Sequence, residues 1–495
     1  MRPSRLACPV RRTTALLPCV TLSLTALALA PGLARPRAQA AAPATFPPAI
    51  QRQFQQALDQ TLANPNVPAA RAGLKNSLGA ELNTYLTTRR VPEHISAVSL
   101  RVTYPGTQPP MALAVGTTRY GGAPRLSPGA LWPIGSNTKA FTSPDQFSPA
   151  TVRAITSIIF SGMTSAGLPG MSVGIWVPGR GTYVRTFGVA DVATRRPVSL
   201  ADHFRIASIS KTFTATVILQ LVDQKRLSLS DHLSRFVQGI RYGSLITVQE
   251  LLAMRSGIYD YTSDPAFLKA VTNNPDMRFT TADFLRIVRR HAPLFRPGTQ
   301  TAYADSNYFL LGLIAEKITH RPLGQLIRSQ ILTPLGLGQT SYPTTAAIPA
   351  PFARGYLRRP DGTLRDMTTS NPPWAAGAGA MISTLGNLKT WAKALATGTL
   401  LRPATQRRRL QNMGLIAKAD GLTISYGLGI ANINGFLGHN GAIFGYTSAM
   451  FYLPKRDATI VVLGNNSGLS SITTTWIFVS LAAYLFPQQF PGGIG

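Results

Sequence analysis

Apolar and polar positions along the chain fall into stretches of different period. Ala15 to Ala30 is an uncharged apolar run preceded by Arg2, Arg5, Arg11 and Arg12. Two later stretches repeat one pattern. Pro92 to Ser143 contains HISAVSLRVTYPG and then ALAVGTTRYGGAPRLSPGALWPIGSNTKAFTS; Pro169 to Ala215 contains GMSVGIWVPGRG and then VRTFGVADVATRRPVSLADHFRIASISKTFTA. Each has a strand-like apolar run, a Pro/Gly turn, a second strand ending in Gly, a loop, and Ser-x-x-Lys. Alternating apolar positions around turn residues predict a β-hairpin in each copy. After the second copy Val217, Ile218, Leu219, Leu221 and Val222 continue as a long apolar helix. After the first, Ser143-Pro144-Asp145-Gln146 breaks the pattern and an amphipathic helix, Ala150 to Met163, starts again. The period of 72 residues with one complete unit excludes a solenoid.

Further along, Thr247-Val248-Gln249-Glu250 is a capping box before an apolar helix. Phe309 to Ile314 reads as a buried helix. Tyr426 to Ile433, Thr447 to Tyr452 and Thr459 to Leu463 read as strands, with a turn at Asn434-Gly435. Thr475 to Phe486 is a core helix expected to pack on a sheet. No segment after the first apolar run reaches the roughly 18 apolar residues of a membrane span.

Composition narrows the classes. The 45% hydrophobic and 14% charged content of the 495 residues fits a globular chain with a large core. The arginine-flanked apolar run, followed by the small-x-small triplet Ala38-Gln39-Ala40, reads as a signal peptide over residues 1–40. Export through either a general or a twin-arginine (Arg11-Arg12) route is compatible with it, and the product is expected to be secreted or held in the periplasm or cell envelope. Removing its six Arg lowers the net charge from +30 to +24. Such a charge suits adhesion to anionic cell-wall polymers. The basic residues are scattered without interleaved aromatics, so nucleic acid is not an expected partner. Cys8 and Cys19 both fall in the leader, and Leu17-Pro18 spoils a lipoprotein box, so no disulfide or cysteine nucleophile is expected. His94, His203, His232, His291 and His320 lack metal-ligand spacing.

Three boxes carry chemistry. In Ser208-Ile209-Ser210-Lys211 a helix start puts Ser208 and Lys211 on one face, where a neutral, desolvated lysine can take the serine proton. Phe295-Arg296-Pro297-Gly298 is followed by Tyr303-Ala304-Asp305-Ser306-Asn307-Tyr308. A phenol beside two cations there could ionise and serve as base or proton relay, or simply pack. Gly438-His439-Asn440-Gly441-Ala442 sits among strands, where a glycine lets substrate backbone approach and the next amide can face an oxyanion. Asp260 and Tyr261 are candidates for the cleft rim.

These boxes and their order resemble the serine β-lactamase and D-alanyl-D-alanine carboxypeptidase superfamily, nearest the class C β-lactamases and Streptomyces-type DD-peptidases. The tyrosine comes 95 residues after Ser208 and the His-x-Gly box 136 residues later. Leu251 to Ile258 resembles that family's Leu-Leu-x-x-x-Ser-Gly stretch, and Ala376 to Thr384 its Gly-rich return to the sheet. The resemblance implies an acylated nucleophile at Ser208, Lys211 as its proton acceptor, Tyr303 as proton shuttle, and His439 keeping the site electropositive. It also implies an oxyanion hole from the amides of Ser208 and Ala442, substrate contacts from Asp305, Asn440 and Gly441, and no metal or organic cofactor. Ser136 and Lys139 form a similar local box, but no tyrosine or His-x-Gly box follows in that copy, which reads as a decayed duplicate or structural appendage.

Three departures bear on substrate. Asp305 stands where the family usually has Asn. Asn440 and Ala442 replace frequent hydroxyl residues, and no Arg lies between Gly421 and His439 to clamp a substrate carboxylate.

The expected fold class is α+β: an antiparallel sheet flanked by helices, from about Pro149–Ser230 and Ala376–Phe486, with a mainly helical lobe inserted at about residues 231–374. The catalytic domain would span 148–490 and the truncated duplicate 41–147. The function expected is an exported serine hydrolase acting through an acyl-enzyme on a cell-wall peptide or β-lactam. An esterase or amidase of the same fold, or a catalytically silent envelope-binding protein, are the alternatives.

Overall fold

The computed structural model describes residues 146–495, except 275–276, 360, 371, 420, 469–471, 492 and 494–495, together with Ala80 and the strands at 97–102 and 111–116. The leader, both cysteines, His94 and the Ser136–Lys139 box lie outside the described residues. The chain divides into two units, with the smaller one at residues 30–134. In it, β1 (Ala97–Val102) and β2 (Met111–Gly116) pair antiparallel, Ala97 opposite Gly116. These two strands fall where the first expected hairpin lies.

The larger unit opens with α1 (Pro149–Ala166). Ser148 caps it by accepting from the Thr151 amide at 3.2 Å, Pro149 occupies its first turn, and Gly167 ends it in the left-handed region. The chain then makes β3 (Gly170–Val177), β4 (Gly181–Asp191) and β5 (Arg196–Pro197). The remaining strands come more than 200 residues later: β6 (Gly414–Ala419), β7 (Leu422–Tyr426), β8 (Ala431–Ile433), β9 (Phe436–Ile443), β10 (Tyr446–Leu453) and β11 (Ala458–Gly464). They form one nine-stranded sheet in the order β6-β7-β8-β9-β10-β11-β3-β4-β5, every neighbouring pair antiparallel.

Consecutive residues of β10 and β11 are all buried, because helices cover both faces of the sheet. Phe451 lies in one file with Ile460 and Ile175 and stacks on Phe478 of the helix Thr473–Leu485, ring centroids 4.3 Å apart. Tyr452 and Trp176 belong to the next file, on the opposite face. Tyr452 bonds Asp457, which pairs with Lys393 of the helix Leu385–Thr397, and Lys389 of the same helix lies over Trp176. Each such ring removed from water contributes about 1.5–3 kcal/mol. The expected strand Tyr426–Ile433 is split in two, since the Gly427 amide turns back to the Ile430 carbonyl. The turn at Asn434-Gly435 has positive φ at both positions, +48° and +91°, the pair of conformations that matches strand twist.

Between the two groups of strands lie α2 (Ser210–Asp223), then α3 (Val248–Leu252), α4 (Pro265–Asn273), α5 (Thr281–Arg290) and α6 (Asp305–Thr319). Together with the short helix Leu323–Ile327, the last four belong to the inserted lobe. It is not purely helical: Tyr356–Arg358 and Leu364–Asp366 pair as short strands and extend onto Asn466–Ser467. The helices at Leu385–Thr397, Pro403–Leu410 and Thr473–Leu485 are α7, α8 and α9.

Helix α2 runs through the centre, with 11 of its 14 residues buried. Its buried threonines are all bonded. Thr212 Oγ1 donates to the Ile209 carbonyl and accepts from the Trp391 indole, Thr214 donates to the Gly377 carbonyl, and Thr216 donates to the Thr212 carbonyl. A central helix can carry hydroxyls at little cost when each has a partner.

Candidate active site

Ser208 lies at the N-terminal end of α2, in a tight turn held from both sides. Upstream, Phe204–Arg205 pairs with Ile382–Ser383, and Ala207 adopts a left-handed φ of +47°, a conformation costing an L-residue about 1–2 kcal/mol. Ser208 is half-buried, so its hydroxyl is within reach of a ligand, whereas Lys211 one turn on is wholly buried. Lys211 Nζ donates to Ser208 Oγ at 3.0 Å, to the Ala378 carbonyl at 2.8 Å, and to Asp305 Oδ1. Burial pushes its pKa down, and Asp305 works against that shift.

The tyrosine box is fixed by the Ser-Gly stretch. Ser256 Oγ donates to Asn307 Oδ1 at 2.5 Å, Ser306 Oγ donates to the Tyr259 carbonyl at 2.7 Å, and the Tyr261 amide donates back to Ser306 Oγ at 3.0 Å. This lacing sets Tyr303 beside Ser208, near enough for that hydroxyl to lower the phenol's pKa, and puts its ring centroid 4.8 Å from Lys211 Nζ. The phenol does not ionise as the two-cation reading allowed. Burial and the Asp305 charge hold its pKa well above the ordinary tyrosine value, which leaves a neutral hydroxyl able to relay a proton.

His439 also departs from expectation. Wholly buried and facing Lys211, its imidazole has its pKa pushed down to about 3 and is uncharged, so it does not keep the site electropositive. Nδ1 faces the Asn440 carbonyl and therefore carries the proton; Nε2 accepts from the Tyr426 hydroxyl at 3.0 Å. The cation of the site is Lys211.

The strand β9 residues divide by face. Asn440 turns to the opposite side of the sheet, where its amide donates to Thr475 Oγ1 of α9 at 3.0 Å. Its side chain is thus not in the cluster with Ser208, contrary to the substrate-contact expectation. Gly441 faces the Ser208 turn: a Cβ there would lie 2.5 Å from the Ile206 carbonyl oxygen and 2.9 Å from Ala207 Cβ. Ser448 Oγ on the next strand donates to the same carbonyl at 2.9 Å. The pairing of β9 with β8 ends at Gly438, while pairing with β10 continues to Ile443. Ala442 is one residue inside a two-residue turn, so by the alternation of the ladder its amide faces away from β10, toward the edge that no described strand covers.

Asp305, expected to touch substrate, instead has one carboxylate oxygen on Lys211 and the other 3.3 Å from Thr262 Oγ1. Asp260 and Tyr261 are not on a rim. Tyr261 is buried among Phe267, Phe279, Phe284 and Phe309, its hydroxyl donating to the Trp374 carbonyl at 2.9 Å. Asp260 Oδ1 accepts from the amides of Thr262 at 3.1 Å and Asp305 at 3.2 Å, and burial beside Asp305 pushes its pKa up to about 7. Glu250 occupies the capping box with Thr247. His291 bonds Asp264 at 2.8 Å, and among the described residues no group of three or more His, Cys, Asp or Glu could hold a metal ion. Tyr426 and Thr262 join the cluster without a local signal in the sequence. Asp260 could be suspected from its place after the Ser-Gly stretch, but its contact with Asp305 spans 45 residues.

Residues 155–483 match the family described as Beta-lactamase. The chain belongs to that family. Its Beta-lactamase region has the large antiparallel sheet flanked by helices of β-lactamase-type hydrolases. Protein flp of Staphylococcus aureus (strain N315) is 27% identical over 318 residues, 63% of this chain and 62% of that protein. The D-stereospecific amidohydrolase from a Streptomyces species superposes with a TM-score of 0.57 at 30% identity, covering 64% of this chain and 94% of the other. The D-amino acid amidase from Ochrobactrum anthropi SV3 complexed with L-phenylalanine gives 0.60 at 25% identity, covering 68% and 98%.

Proposed function

We propose that this Beta-lactamase-family protein is a serine hydrolase that forms an acyl-enzyme at Ser208 and acts on uncharged amide or ester carbonyls. The observation carrying this reading is the wholly buried Lys211, 3.0 Å from Ser208 Oγ and hydrogen-bonded nowhere but inside the cluster. Ser208 Oγ attacks the carbonyl carbon as its proton passes to Lys211. The oxyanion is received by the amides of Ser208 and Ala442. Tyr303 hands a proton to the departing amine or alcohol, and water, giving up a proton along the same path, releases the acid and restores Ser208.

The substrate class follows from what faces the site. With His439 uncharged, Asn440 turned away and two carboxylates beside Lys211, the residues expected to contact substrate offer no cationic seat for a C-terminal carboxylate. That favours amides and esters over D-alanyl-D-alanine peptides, and two of the structural neighbours are by their names a D-stereospecific amidohydrolase and a D-amino acid amidase. Family membership supports a second reading, in which a cell-wall peptide or β-lactam acylates Ser208. Export to the cell envelope and adhesion to anionic wall polymers rest on the leader-like residues 1–40 and the net charge, and are part of the same proposal.

Purified protein should hydrolyse p-nitrophenyl esters or D-amino acid amides, with the rate falling about 10³-fold or more in Ser208→Ala. Labelling by a fluorescent penicillin, lost in the same variant, would move the assignment to the β-lactam reading. A protein with neither turnover nor label would be the catalytically silent envelope binder.

A further inference from the structure

Two buried carboxyl groups share one lysine in this site. Asp305 reaches Lys211 directly, and Asp260 reaches Asp305 through the Asp305 amide and through Thr262, whose amide serves Asp260 and whose hydroxyl serves Asp305. Both aspartates are less than one-tenth exposed. Full ionisation of all three groups leaves a net negative charge in a place where water cannot screen it.

The other groups facing Asp260 or Asp305 do not relieve this. Tyr303, Tyr261 and Tyr259 feel one or both carboxylates and are held above their ordinary pKa, and His439 across Lys211 is neutral. Asp260 is accordingly protonated at mildly acid pH and ionises near neutrality, its pKa raised first by burial and next by Asp305.

We propose that Asp260 and Asp305 are positioning residues that act through Lys211 as a proton-sharing carboxyl pair, Asp305 taking a proton from Lys211 so that the lysine is the neutral base for Ser208. This rests on the assignment of Ser208 as nucleophile. In the resting site the proton is on Lys211 and Asp305 is anionic. On reaction the proton moves from Nζ to Asp305 Oδ1, and Nζ then accepts the Ser208 hydroxyl proton as Oγ bonds to the carbonyl carbon. No proton is gained or lost by the protein in the step. An ionised Asp260 favours the first transfer, since that transfer relieves the repulsion between two neighbouring negative charges. An asparagine at position 305 could hold the lysine but could not take its proton.

Asp260→Asn and Asp305→Asn keep the shape and one acceptor oxygen each, and remove the charge and the titration. With a p-nitrophenyl ester, kcat/KM of the wild-type protein should rise between pH 6 and pH 8 about a midpoint near 7. Each variant should lose roughly tenfold in kcat with KM little changed; Asp260→Asn should abolish the rise about that midpoint, and Asp305→Asn should move it by at least about one pH unit.

A second measurement needs no substrate. The folded pKa of Asp260 lies above its unfolded value, so the stability it contributes is present in acid and lost as pH rises through about 7. Tm of the wild type minus Tm of Asp260→Asn should therefore fall between pH 5 and pH 8, by on the order of 5 °C. A difference that stays level across that range overturns the carboxyl pair. Variants that keep the wild-type midpoint overturn the relay while leaving Ser208 as nucleophile. Ester turnover unaffected by Ser208→Ala overturns the assignment of the nucleophile, and the relay with it.

Discussion

Helix α2 packs against two buried cations, and they behave differently. In its first turn Lys211 is its own residue, ion-paired to Asp305 and bonded to Ser208. Farther along, Arg409 of α8 packs against it with only neutral acceptors, the Thr216 hydroxyl at 2.7 Å and the Leu428 carbonyl at 3.3 Å. Burial pushes Arg409 down to about 10, which still leaves it charged at neutral pH. Lysine starts about two units lower, so the same loss of water brings its proton into play. One cation is a fixed piece of the core; the other has a proton it can give up. The threonines of the central turns, each bonded to a carbonyl, belong with the arginine: satisfied and inert.

Lys211→Arg should break this contrast most severely. It keeps the charge and the Asp305 partner but removes the negotiable proton. Ester turnover should fall about 10³-fold or more, and Tm measured by calorimetry should change little by comparison. Retained turnover would show that a neutral base at position 211 is not needed. Arg409→Met should affect the other side of the comparison. Losing the guanidinium leaves the Thr216 hydroxyl and the Leu428 carbonyl without that donor, while Met refills most of the volume, so about 1–3 kcal/mol of stability should be lost in denaturant unfolding. The pH dependence of turnover should stay as in the wild type, because the Arg409 guanidinium is bonded to Thr216 and Leu428 and not to Ser208, Lys211 or either aspartate.

Much of the fold is legible in the sequence because its signals are local. The cap of α1, the Thr247–Glu250 box, the Asn434-Gly435 turn and the period change between strands and helices each depend on a few adjacent residues. Ser208, Lys211 and Tyr303 are legible for another reason: their spacing within ordered boxes points to a known arrangement. The electrostatics were not legible. The charge on His439 depends on complete burial beside Lys211, far away in the chain, and the state of Tyr303 depends first on burial and only then on Asp305 two residues along, and burial is decided by tertiary packing. Asn440 illustrates the same limit on a strand. Its place beside His439 and Gly441 suggested a substrate contact, yet alternation along β9 sends its side chain to the other face.

Gly441 sharpens the comparison from the strand side. The gap between β9 and the Ser208 turn is too narrow for a methyl group, since the Ile206 oxygen it would strike is already held by Ser448. Gly441→Ala should push the strand from the turn, costing about 1–3 kcal/mol of stability, and should lower kcat by roughly ten- to a hundredfold as the Ala442 amide shifts. A variant with wild-type kcat would show that Ala442 does not face the oxyanion.

The smallest effect should come from Asn440→Ala, one residue away on the same strand. The loss is one hydrogen bond to Thr475 on the far face of the sheet, worth about 0.5–1.5 kcal/mol. No group within the Ser208 cluster changes its partner, so kcat and KM for an ester or amide should both stay within about twofold of wild type. A rise in KM with kcat unchanged would instead reveal uniform binding lost, and place the Asn440 side chain against substrate after all. The two neighbours thus separate what sequence proximity joins: the glycine is close to the chemistry because it has no side chain, and the asparagine is remote from it because of where its side chain goes.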